Sequence, residues 1–185
     1  MKFLSILILT LSIISCTSTD QDPSVSKDVK YISALTVAEK FIKEALPGWE
    51  VASNDDYANL WWSFYNRGTE SNFITSDFND DEKSDFALLV KSETERKLKL
   101  LFLIAKDDSF KYSFAEDFER EFKGKDIQYG LFVESPKKID VAYPEISSLI
   151  LESNGISLHN YEINNRVYYI RNDSIKVFTV DETKL

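Results

Sequence analysis

The stretch TSDFNDDEKSDFALLV, residues Thr75 to Val90, sets five acidic side chains and an asparagine ahead of an unbroken apolar run. Two accounts compete for it. It is a solvated turn entering a strand, or a loop whose oxygens are spaced to hold a cation. Asp77, Asn79, Asp81 and Asp85 fall at relative positions one, three, five and nine. Alternate residues in a tight loop can turn their side chains toward a common centre, and calcium takes about six to eight hard oxygen ligands. On either account a strand begins at Phe86, and the rest of the chain is read outward from it.

Downstream, short apolar or alternating runs continue. Phe86 to Lys91, Lys97 to Ala105, Phe110 to Phe114, Ile127 to Glu134, Ser148 to Glu152, Ile156 to Ile163, Arg166 to Arg171 and Ile175 to Val180 read as strands. Ser153-Asn154-Gly155, Asn164-Asn165 and Asn172-Asp173 are tight-turn signals between the later ones, so the last three runs read as a meander of hairpins. Glu116 to Lys123 reads as one or two helical turns. The alternation of Ile156 and Leu158 with His159 to Glu162 predicts one wet sheet face. Upstream, Thr36 and Glu39 form a capping box. Ala38, Phe41, Ile42, Ala45 and Leu46 recur at helical spacing until Pro47-Gly48. Ser53 to Asn66, with Tyr57, Leu60, Trp61 and Phe64 three and four apart, reads as a second helix. Helices first and strands afterwards is the α+β pattern: N-terminal helices packed on a mostly antiparallel sheet of short strands and hairpins.

The acidic loop is not an EF-hand, which needs a bidentate Glu at its twelfth position, where Leu88 stands. It resembles instead the D-x-[DN]-x-D-G-x-x-D loops of FG-GAP and VCBS-type proteins, through Asp77-Phe78-Asn79, Asp81, Asp85 and Ala87-Leu88-Leu89. That resemblance implies a loop joining two strands and makes Asp77, Asn79, Asp81 and Asp85 calcium ligands. The family's two glycines are replaced by Asp80 and Glu82. Glycine serves there because the loop visits positive φ, and each replacement costs on the order of 1 kcal/mol. The chain carries one such loop, so the propeller that repeats it is excluded.

The first sixteen residues, MKFLSILILTLSIISC, carry Lys2, an apolar run from Phe3 to Ile14, then Ser15-Cys16. The run has the length of a secretory signal and is too short to span a bilayer. Its end resembles the lipobox of bacterial lipoproteins. That implies cleavage before Cys16, acylation of its thiol and of the new amino terminus, and attachment to a membrane in the cell envelope, periplasmic or surface-exposed. Stable anchoring needs more than one acyl chain. The expected organisation is a signal peptide over 1–15, lipidated Cys16 and a flexible tether over 16–30, and one globular α+β domain over 31–185. Cys16 is the only cysteine, so the mature chain has no thiol for a disulfide or a cysteine metal site. A net charge of −9 disfavours nucleic acid and suits a basic protein partner.

Catalytic signals are sparse. His159 is the only histidine, which rules against zinc and reads as a half-exposed strand position. There is no G-x-S-x-G elbow and no glycine-rich phosphate loop. Trp61-Trp62-Ser63-Phe64-Tyr65 is an unusual aromatic cluster. Trp61 and Phe64 are expected in the core, and Trp62 and Tyr65 are candidate interface residues. The sequence therefore points to a lipid-anchored envelope protein with a non-catalytic binding or inhibitor-like domain and one weakly held calcium ion. The alternative is an envelope hydrolase acting on glycan through carboxylates that no motif distinguishes.

Overall fold

The computed structural model describes residues 23–67, 69–118, 121–142, 146–161 and 163–180. Strands dominate, and every ladder is antiparallel. The first sheet contains β1 (Glu50–Val51), β2 (Phe73–Ser76), β3 (Asp85–Ser92), β4 (Lys97–Lys106) and β5 (Ser109–Asp117), in the order β1-β3-β4-β5 with β2 also on β3. The second contains β6 (Tyr129–Glu134), β9 (Gly155–Asn160), β10 (Ile163–Arg171) and β11 (Ser174–Val180), in the order β11-β10-β9-β6. β7 (Lys137–Val141) and β8 (Ser147–Leu151) form a separate two-stranded sheet.

Strand alternation explains how the layers stack. Ala87 and Leu89 of β3 and Leu100 and Phe102 of β4 pack with Leu131, Ile156, Leu158 and Tyr168 of the second sheet, which makes a sandwich core. The alternate residues Phe86, Leu88, Val90, Leu101 and Leu103 face the other way, into a second cluster with Ala38 and Ile42. Those two lie on α1 (Pro23–Ala45). β3 is therefore buried on both faces and reads as a continuous apolar run rather than an alternating one. A third cluster, Leu149, Leu151 and Val167, covers the outer face of the second sheet with the β7–β8 pair. Along β9 only His159 and Asn160 are half-exposed, while Arg171, Ser174 and Lys176 farther along the same sheet are exposed.

Several sequence expectations change here. α1 begins at Pro23, so the part of the expected 16–30 tether from Pro23 on is helical. Proline fits a first helical position because its missing N–H would have had no partner there. Thr36 lies mid-helix, not at a helix start. α1 stops as predicted before Pro47-Gly48, with Gly48 at φ 89°. The second predicted helix is broken. Asn54–Asp56 is one 3-10 turn, and only Trp61–Phe64, α2, is α-helical. The helical turns expected over Glu116 to Lys123 do not form among the described residues: Glu116 belongs to β5, and Phe118 bonds to Leu98. The closing meander does form, as β9–β10–β11. Its β10–β11 turn places Asn172 and Asp173 at φ 52° and 55°, as a tight primed turn requires.

Candidate functional site

The acidic loop connects β2 to β3, and Ser76 pairs with Asp85 across its base. Asp77 organises it. Its Oδ1 accepts the backbone N–H groups of Asn79 and Asp81, each at 3.2 Å, and its Oδ2 accepts that of Glu82 at 2.8 Å. The Asn79 side-chain oxygen also accepts Asp81 N–H, at 3.3 Å, and Asp81 Oδ1 accepts Lys83 N–H at 3.0 Å. Asp80 and Glu82 stand at φ 59° and 65°, the two positions where the FG-GAP-type pattern has glycine. Asp85 is fully buried. Its Oδ2 accepts Phe78 N–H at 3.0 Å and its Oδ1 accepts Ala105 N–H at 2.8 Å, which ties the loop to the end of β4. Burial pushes the Asp85 carboxyl above its ordinary value, and the nearby Asp81 and Asp77 charges add to this against the two amides.

The loop is braced from outside. Phe78 is buried in the sandwich core, and its carbonyl accepts Ser153 Oγ–H at 3.1 Å. Asn154 Nδ2 donates to Ser76 Oγ at 2.9 Å. The donor set is of the hard-oxygen kind that calcium takes. A carboxylate has about four acceptor positions, and the bonds above leave some free on Asp77, Asp81 and Asp85. As the side chains stand, no group of three or more His, Cys, Asp or Glu among the described residues is arranged to hold a metal ion.

Beside the loop runs a groove of about 610 Å³ between β5 and β11, the outer strands of the two facing sheets. Asn79 and Asp81 line one part of it, with Asp173. Tyr168, which lines the groove, donates its O–H to Glu116, and Glu116 pairs with Arg166 at 2.7 Å. Burial and the Glu116 charge together push the Tyr168 hydroxyl far above its ordinary pKa, so it stays protonated. β5 can present Glu116 here because its register with β4 shifts between Leu100 and Leu101, setting Phe114 and Glu116 opposite adjacent residues. No motif in the sequence marks this groove. Its signal was present in Lys111 and Ser113, polar residues two apart in a run otherwise read only as a strand.

The aromatic cluster divides differently from expectation. Trp61 is fully buried, while Phe64 is half-exposed. Trp62 is partly buried against Tyr57 at 5.4 Å, with Arg67 over its ring at 5.7 Å. Tyr65 stacks on Trp61 at 4.1 Å and donates to the Tyr161 carbonyl at 2.8 Å. His159 contacts Ser157 Oγ at 2.9 Å and lies 4.5 Å from the Phe132 ring. Leader and Cys16 lie outside the described residues. Among those described, no helix is long and apolar enough to cross a membrane. Comparison with protein-family models, with curated proteins and with solved structures returns no match to this chain.

Proposed function

We propose that this chain is a bacterial lipoprotein, held in the cell envelope through acylated Cys16, with a non-catalytic binding domain steadied by one calcium ion. In finer terms the domain is α+β, with α1 laid on the first sheet. The ion is coordinated by Asp77, Asn79 and Asp81, with Asp85 at the base of the loop. One observation carries this. Two non-glycine residues, Asp80 and Glu82, adopt left-handed backbone around carboxylates that gather the loop's amides. The acidity of the chain, net −9, suits a basic protein as partner and disfavours nucleic acid.

Calorimetric titration of the full chain with calcium chloride tests the ion. Saturable heat with a dissociation constant of about 0.1–1 mM, the range of extracellular modules, supports it. The heat disappears in Asp81→Ala. A silent titration, or one unchanged in that variant, contradicts it. Intact mass spectrometry tests the address: the expected product starts at Cys16 and carries acyl chains, and Cys16→Ser remains uncut. An unacylated product would remove the anchor.

A further inference from the structure

We infer that the groove between β5 and β11 binds a small, single-tailed organic carboxylate carrying one negative charge. This inference needs neither the anchor nor the ion: Asp81 lines both loop and groove, and the groove's charges are counted with the loop free of calcium. At about 610 Å³ the groove falls within the roughly 300–1,000 Å³ of small-molecule sites. The apolar part of its lining includes Ile104, Ala115, Tyr168, Ile170, Ile175 and Val177. Val177 is 54% exposed. That surface takes an acyl or aryl tail.

The polar lining selects the head. Lys106, Lys111 and Lys176 line the groove, one from each of β4, β5 and β11. All three are exposed, and none makes an ion pair among the described residues. Lys91, Lys123, Lys137 and Lys138, by contrast, are paired to carboxylates. In a chain of net charge −9, three ammonium groups around one cleft, unpaired among the described residues, favour an anion there. Asp81 and Asp173 share the lining, so three positive charges against two negative leave the groove one positive charge in excess. That balance matches a monocarboxylate and works against a multiply charged anion.

The test uses the full chain in phosphatidylcholine nanodiscs, with a chelator present so that the loop's ion plays no part. The probe is octanoate bearing a diazirine, photolysed and mapped by mass spectrometry. Labelling is expected on β5, β10 and β11, with competition by unlabelled octanoate and not by octylammonium. Lys106→Gln/Lys111→Gln should weaken competition by about three- to tenfold, since an exposed ion pair contributes at most a few-fold each. Lys111→Gln alone should show a smaller loss. Both lysines are exposed, so the melting temperature should hold. Labelling elsewhere, equal competition by octylammonium, competition only by anionic phospholipid vesicles, or unchanged affinity in both variants would overturn the inference.

Discussion

Asp85 shows how one buried carboxylate can set the behaviour of a loop. Its folded pKa lies above the ordinary 3.8 because burial, with Asp81 and Asp77, disfavours its charge. The folded state therefore holds this proton more tightly than the unfolded state does. By linkage, the Asp85 contribution falls as pH rises from 3.8 through the folded pKa, and its cost is fully present above that. Relative to Asp85→Asn, the wild-type protein should lose stability as pH climbs from 3.8 to neutrality, read by urea unfolding along a pH series. A difference independent of pH would show that Asp85 is not strained by its charge. Gly130 is a second decisive residue. A Cβ built there would lie 2.4 Å from the Trp61 ring. Gly130→Ala should cost about 1–3 kcal/mol in urea unfolding, the usual scale of overpacking, and a neutral substitution would mean Trp61 is loosely seated.

At the scale of elements, the strands were largely legible because burial on both faces of β3 and alternation in β9–β11 leave a plain pattern. The loop was legible for a different reason. Its polar residues break the apolar pattern just before β3, and within it Asp80 and Glu82 take positive φ. The second helix misled because the Tyr57, Leu60, Trp61 and Phe64 spacing is compatible with a helix locally. Tertiary pairing overrides it: Tyr57 bridges Ile127, and Ile127 N–H bonds to Asp56. Asp56 also closes the 3-10 turn onto Ser53 N–H at 2.7 Å and pairs with Lys91 at 2.8 Å. Burial raises the Asp56 pKa, but Lys91 and Ser53 outweigh it and hold the carboxyl below its ordinary value. β1, the 3-10 turn and β3 thus meet at Lys91, which also reaches Glu50 at 3.1 Å. No local pattern announces such a contact, because its partners lie 35 residues apart. Lys91→Met should lose up to about 3 kcal/mol, the scale of an ion pair broken on one side, measured by chemical denaturation. A loss near zero would mark the pair as a surface contact.

For the whole molecule, the charge balance and the layers work together. The acidic loop between β2 and β3, the end of β4 and the β10–β11 turn meet at the groove, through Asp81, Lys106 and Asp173. The groove escaped the sequence because its lysines come from three strands far apart in the chain, and only the facing sheets bring them together. Calcium at the loop would offset the buried Asp85 charge and the repulsion it feels from Asp77 and Asp81. With a dissociation constant of about 0.1 mM and about 1 mM calcium, that binding adds about 1.4 kcal/mol. The most direct measurement is the melting temperature of the full chain with calcium and with a chelator, beside Asp81→Ala. The account expects a rise of several degrees with calcium in the wild type and none in the variant. Equal melting temperatures with calcium and chelator, or an equal rise in both proteins, would contradict it.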